Sequence, residues 1–321
     1  MSAEKAQEII TRAMSDRSVY NAMAERENAI WGKVFPEYDF SEAAVEDAKA
    51  SATLRVARHQ SSLLQLAREK ELHFERGLTL GCGAGRLERA LLQNGVGQSF
   101  HGIDISEEAI AQARAVAQQE QLPLTYEVAD LNFVALPEQT FDLVVAQTSL
   151  HHVLFLERVA EQVWRSLKPG GYLWIHDFIG ETQGQYDEKR LVIVNALLAI
   201  LPEKFRRNRI NNRVTKELRR PEPGHLASPF ESIRSGEIIP VFERWFTTEW
   251  KLEFDAIMRL VMPRGARAAY LENEDTRALF ELLLFLDHLC IEEKILRPTG
   301  GQYLMRAKPA DQVQNASAEP A

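Results

Sequence analysis

The sequence predicts an α/β protein: a three-layer α/β/α sandwich around a mostly parallel, seven-stranded sheet, with a helical N-terminal cap and helical insertions. Three observations carry this reading. Short apolar runs alternate with helical stretches between residues 77 and 180, the pattern of a parallel sheet covered on both faces. Two further strand-like runs, near 247–254 and 301–308, come late in the chain and complete the sheet. Finally, 321 residues of which 45% are hydrophobic can bury a substantial core.

Taken in order, residues 1–70 form the cap. Ile9, Ile10 and Met14, then Leu54, Val56, Leu63, Leu64 and Leu66, recur near a 3.6-residue period, and Trp31, Phe35, Tyr38 and Phe40 form an aromatic turn region around Pro36. The core, 71–180, holds strands at 78–80, 99–105, 124–129, 141–147 and 171–178, with helices at 86–94, 107–120 and 154–167 between them. Insertions at 181–239 and 255–299 are helical, and the first is expected to be a substrate lid. Within it, Ser228-Pro229-Phe230-Glu231 reads as a capping box that restarts a helix, with Glu231 as the capping acid. The tail 309–321 is small, polar and expected to be disordered.

Composition excludes several classes. Cys82 and Cys290 make no disulfide framework and suit a reducing compartment; alone they cannot form a metal site, and no metal is expected. The N-terminus lacks the apolar core of a signal peptide, and no run is long enough to span a bilayer, so a cytoplasmic location is expected. A net charge of −8 argues against nucleic acid as a partner.

The chemistry-bearing motif is GLTLGCGAGRLERALL. Gly81, Gly83 and Gly85 alternate between a strand and a helix start, where the backbone can approach a ligand and N–H groups stand unpaired. Neither register continues to the third glycine of the dinucleotide fingerprint, because Arg86 or Glu88 stands there. Asp104 ends the next strand, 23 residues after Gly81, where a carboxylate can accept from ribose hydroxyls. Asp130 follows the third strand and is placed to accept from an exocyclic amine; a helix cap or turn is its other reading.

Here the chain resembles the class I S-adenosylmethionine-dependent methyltransferases, through LTLGCGAG (78–85), GIDIS (102–106), ADLNF (129–133), FDLVVAQTSLHHV (141–153) and LKPGGYLWI (167–175). The resemblance implies a Rossmann-like core that binds S-adenosyl-L-methionine and yields S-adenosyl-L-homocysteine. The Gly81–Gly85 loop, Cys82 included, would pack on the methionine part, Asp104 would hold the ribose and Ile105 would flank the adenine. Asp130 with Leu131 would read its amino edge, and Gln147 would lie near the methionine. Thr79 departs from the family, which usually has an acid there, so the cofactor's ammonium must be met by backbone carbonyls or another side chain.

The acceptor side rests on fewer signals. His151 and His152 follow the fourth strand and are the candidate bases, since a neutral imidazole suits proton abstraction near neutral pH. If they begin a helix, the two neighbours cannot both point into the pocket. His176, with Asp177, is a second orienting pair or a packing residue. Tyr20, Trp31, Tyr186, His225 and Arg234 are further substrate candidates. Eight cations between Lys204 and Arg220, Arg206 among them, read either as a solvated face or as an anion-binding lid. The expected activity is methyl transfer to oxygen, nitrogen or carbon of a small molecule, a sugar, lipid or secondary metabolite, and an anionic one if the basic segment is a lid. An RNA- or protein-modifying methyltransferase and a non-catalytic cofactor-binding scaffold are the rivals.

Overall fold

The computed structural model describes residues 2–34, 46, 49–50, 53–54, 62–224 and 226–313. Seven strands form one sheet: β1 (Phe74–Leu80), β2 (Gly97–Asp104), β3 (Leu124–Val128), β4 (Phe141–Gln147), β5 (Leu167–Phe178), β8 (Phe246–Phe254) and β9 (Gly300–Ala307). β6 (Arg207–Asn208) and β7 (Arg213–Val214) pair only with each other. The order across the sheet is β3-β2-β1-β4-β5-β9-β8. β1 to β5 run parallel, and β9 is antiparallel to both of its neighbours. β1 therefore has β2 on one side and β4 on the other, so connections leave it in opposite directions and a crevice opens at its carboxyl end.

Alternation along the strands makes the three layers. Leu78, Leu80, Val144, Ala146, Leu173 and Ile175 face one side and pack on the helices Leu156–Ser166 and Ile238–Phe242. Leu143, Val145, Trp174 and Leu304 face the other and meet Leu66, Leu91, Ile110 and Ala113 from the helices Ser62–Glu69, Arg86–Gln93 and Glu107–Gln119. The helix starting at Glu107 is capped by Ser106, whose hydroxyl accepts from the Ala109 N–H at 3.2 Å.

The two insertions build one common core. Val194 and Leu198 of the helix Glu188–Ile200 pack with Tyr270 and with Phe280 and Leu283 of the helix Glu274–Glu292. Arg190, fully buried, ties this unit to the sheet: its guanidinium bonds Glu181 at 2.7 Å and the carbonyls of Ala256 and Arg297. At the other end of the chain, the helices Ser2–Ser15 and Arg17–Val34 pack through Ile10, Ala13 and Tyr20 on Leu154, Phe230 and Ile233. The aromatic turn expected around Pro36 lies outside the described residues. The start of the expected disordered tail is ordered, since Ala310–Val313 forms a helical turn with Val313 buried; 314–321 lie outside the described residues.

Behind the loop that follows β1 stands a group that costs stability. Glu88 is fully buried in the first turns of the helix Arg86–Gln93, and neither carboxylate oxygen has a hydrogen-bond partner. Burial, only partly offset by the neighbouring Thr79 hydroxyl and Arg89, pushes its carboxyl up to about 7. Below pH ~4.5 the group is protonated whether the chain is folded or not. As pH rises toward ~7 the unfolded chain ionises freely and the folded chain resists, so stability is lost across that window, by up to roughly 3 kcal/mol. Glu88→Gln is expected to abolish this loss: denaturant unfolding at pH 8 should show the variant more stable than wild type, with the two converging near pH 4. Parallel pH profiles of the two proteins would show that Glu88 is not strained by burial.

Candidate functional site

At the crevice where β1 and β4 diverge, the loop Gly81–Gly85 turns with positive φ at all three glycines, 69°, 52° and 70°. At Gly81 space and angle agree: a Cβ there would stand 2.4 Å from the Ser149 Cβ. The Gly81 and Cys82 N–H groups donate to the Ile103 carbonyl at 2.8 and 3.0 Å, which sews the loop to the end of β2. Asp104, the last residue of β2, then accepts from the Gly83 N–H at 2.8 Å and from the Ser106 N–H at 2.9 Å. Burial raises its carboxyl above the usual range in spite of these donors.

A cavity of about 540 Å³ occupies this crevice. Gly81, Cys82, Gly83, Asp104 and Ile105 line it, as do Asp130, Leu131 and Gln147, with Thr79 between them. Gly85 does not; its bare face lies against Tyr126, whose hydroxyl a Cβ would meet at 2.3 Å. Asp130 is held from behind by the Tyr20 hydroxyl at 2.5 Å and by the Asn132 N–H at 2.9 Å. Tyr20 is buried and spent on that bond, so it positions Asp130 and does not present itself to an acceptor.

The opposite wall comes from the N-terminal helix and the segment after β5: Glu27, Trp31, His152 and Phe230. The Trp31 indole N–H donates to Glu27 at 2.7 Å and the ring meets His152 edge-on at 5.2 Å. Glu27, buried, also binds His152 Nδ1 at 2.8 Å and accepts from the Ser228 hydroxyl and the Phe230 N–H. Burial would raise its carboxyl, but these partners hold it below the usual range. His151 does not line the cavity, yet the pair does not diverge as a helix start would require. It sits in a 3₁₀ turn, Leu150–His152, with ring centres 4.1 Å apart, and both Nε2 atoms reach Glu231 at 3.8 Å. Asp177, completely buried, fixes this turn: it accepts from the Ser149 and Leu150 N–H groups at 3.0 and 2.7 Å and binds His151 Nδ1 at 2.5 Å. Burial opposes protonation of His151, but the Asp177 carboxylate outweighs it and raises the imidazole above its usual range.

Other expectations fail on geometry. No helix starts at Ser228; the segment is a run of turns, because the Ser228 hydroxyl and Phe230 N–H are taken by Glu27, and Glu231 faces the histidines instead of capping. Arg234 is buried and spent on Glu157, Glu237 and the Leu154 carbonyl. None of residues 204–220 lines the cavity. Lys204 and Arg209 pair with Glu272, Arg219 with Glu217 and Arg220 with Glu188. Arg206 binds the carbonyls of Leu201 and Thr215, and Arg207 binds Glu203 and Asn212. These partners and the distance from the cavity lining are those of a solvated face. His176 packs on Phe254 inside the sheet, where burial lowers its pKa. Tyr186 is half-buried near Glu231 and Arg259, away from the cavity lining. His225 lies outside the described residues.

The sequence reading missed Glu27 and the role of Glu231. For Glu27 a signal existed: it falls on the helix face of Tyr20, Met23 and Trp31, an acid inside an otherwise apolar stripe.

The cavity suits a ligand with a diol, an amine edge and an apolar middle: one carboxylate ends β2 and another follows β3, the turn lacks a Cβ at Gly81 and Gly83, and the Thr79 hydroxyl is buried without a partner. Those are the features S-adenosylmethionine needs. No helix among the described residues is long and apolar enough to cross a membrane. Residues 78–175 match the family model described as a methyltransferase domain. The human mitochondrial arginine-hydroxylase NDUFAF5 is 36% identical over 110 residues, 34% of this chain and 30% of that protein. The ubiquinone biosynthesis O-methyltransferase of Coxiella burnetii (strain RSA 493 / Nine Mile phase I) is 34% identical over 97 residues, 30% of this chain and 41% of that protein. The chain thus spans less than half the length of these relatives. Among solved structures, an S-adenosylmethionine dependent methyltransferase from Mesorhizobium loti aligns over 73% of this chain and 91% of its own, with 21% identity and a TM-score of 0.41. Residues 78–175 thus match a methyltransferase domain, and over that stretch the chain is similar to the S-adenosylmethionine-dependent methyltransferases.

Proposed function

We propose that the protein transfers a methyl group from S-adenosylmethionine to a small-molecule acceptor, a sugar, lipid or secondary metabolite, that binds against Trp31 and His152. The observation that carries this reading is a single cavity with two unlike walls: Asp104, Asp130 and the glycine loop on one, Glu27, Trp31, His152 and Phe230 on the other. The sulfonium supplies an electrophilic methyl group; the chain's own residues hold the two reactants in line and deal with the acceptor proton. Trp31 offers a flat apolar surface for the acceptor. His152, its Nδ1 tied to Glu27, keeps Nε2 for the acceptor side. His151 acts through the turn it shares, since Asp177 holds it in the protein interior.

Thr79, where relatives usually carry an acid, is answered by Glu88 standing behind it. We read the Thr79 hydroxyl, which lines the cavity, as an acceptor for the cofactor's ammonium group, with the buried Glu88 behind it. On the acceptor wall Glu27 is the acid, while the arginine of the cavity lining, Arg86, starts the helix after the glycine loop; this favours a neutral over an anionic acceptor. The O-methyltransferase among the relatives supports oxygen as the methylated atom. A second reading, modification of a protein side chain, is favoured by the relative named an arginine-hydroxylase. Labelled cofactor offered to small-molecule and protein fractions of an extract separates the two: label in the protein fraction alone would replace the first reading by the second. Both free cysteines are buried, in keeping with a cytoplasmic enzyme.

Calorimetric titration with S-adenosylhomocysteine is expected to show saturable binding. Asp104→Ala should weaken it by about 1.5–3 kcal/mol, the scale of a lost charge-assisted hydrogen-bond pair. Equal affinities with the fold intact would take Asp104 out of the cofactor site.

With an acceptor that must lose a proton, His152→Ala should lower kcat by roughly 10²–10⁴ and leave cofactor affinity unchanged. A full-rate variant would mean that transfer proceeds by positioning alone.

A further inference from the structure

We propose that His151, His152 and Glu231 form a binding site for one divalent transition-metal ion at the acceptor end of the cavity. Two imidazoles and one carboxylate come within reach of a common point: one ligand atom from each lies within 4.8 Å of the other two. Each imidazole has its Nδ1 occupied by a buried carboxylate, Asp177 at 2.5 Å and Glu27 at 2.8 Å. An Nδ1–H given to a carboxylate leaves the lone pair on Nε2, and it is Nε2 of both rings that faces Glu231, at 3.8 Å in each case. Two ring nitrogens and a carboxylate thus converge, with the Ser232 hydroxyl donating to Glu231 Oε1 at 3.3 Å.

Charge points the same way. Three carboxylates, Glu27, Asp177 and Glu231, surround the two rings, and the nearby Arg259 guanidinium offsets one of them. A divalent cation bound to the two rings would offset the carboxylate charge that remains. A carboxylate behind each ligating histidine is also the recurrent outer shell of metal sites, where it fixes the tautomer and raises ligand basicity. Ligand atoms about 2.0–2.2 Å from a metal sit roughly 3.0–3.5 Å from one another. The 3.8 Å separations run to the two different oxygens of Glu231, and spacings of up to 4.8 Å must close by as much as about 1.5 Å, to which the partly exposed Glu231 side chain can contribute.

Two nitrogens and one oxygen suit zinc, iron(II), cobalt(II) or manganese(II) better than calcium or magnesium. Three protein ligands leave further positions open, and His152 lines the cavity, so those positions adjoin the place of the acceptor. With the ion bound, His152 Nε2 is a ligand and no longer the proton acceptor, and the ligand class selected is an acceptor that offers oxygen to the metal, such as a hydroxyl or a phenol.

The test uses the untagged full chain, stripped with a chelator and dialysed at pH 8 against Zn²⁺, Mn²⁺ or Co²⁺, where protons compete least for Nε2. Elemental analysis should find about one ion per chain, and Co²⁺ should give a visible d–d spectrum. Glu231→Gln should raise the metal Kd by at least ~100-fold, beyond the roughly 10–100-fold expected of Glu27→Gln, which removes only an outer partner. Glu231 holds no backbone group of the turn, so circular dichroism should show that variant folded. Metal content well below one ion per chain, or equal content in wild type and in both Glu231→Gln and His152→Ala, overturns the proposal. Metal binding is measured without cofactor, and cofactor binding without metal, so failure of one leaves the other standing.

Discussion

The acceptor half of this protein depends on carboxylates that have been taken out of water and given backbone N–H groups to hold. Asp177 is the deepest: completely buried at the end of β5, it receives two N–H groups of the turn after β4 and one ring nitrogen of His151. Without that acceptor the two N–H groups would be buried unpaired, at a cost of about 1–3 kcal/mol each. Glu27 repeats the arrangement from the N-terminal helix, taking the Phe230 N–H, the Ser228 hydroxyl, the Trp31 indole and His152. Ionised, acceptor-only groups thus set the course of two loops and the ring orientation of two histidines at once.

The cofactor half was legible because its constraints are local. Strand, glycine turn and helix follow one another within 78–93, and Asp104 and Asp130 fall at strand ends that any parallel sheet brings to one edge. The late strands were legible too, since alternation at 247–254 and 301–308 leaves little choice of element. Even so, Gly85 turned out to serve packing against Tyr126 and not the ligand.

The acceptor half was not, because its residues come from segments whose contacts are fixed only by tertiary packing. Glu231 stands four positions into a pattern that satisfies every local rule for a helix start, and a carboxylate 201 positions before Ser228 takes that cap away. Arg234 and the cations of 204–220 carry the residue types of an anion site, yet each described side chain among Arg206, Arg207, Arg209, Arg219, Arg220 and Arg234 is matched by a neighbouring acid or carbonyl. Residue type proposed ligands there; only the distances show how the donors are used.

One helix, Arg17–Val34, spans both halves. Tyr20 braces Asp130 at one end, and Glu27 and Trp31 grip His152 further along, about 10 and 16 Å away at 1.5 Å per residue. A rod of that length cannot let go of one end while staying seated at the other. The part of the cavity proposed for the adenine edge and the part proposed for the acceptor would therefore share a mechanical wall. Loosening it would admit water to both, and seating it would dry both. On that reading both reactants would pass a single gate.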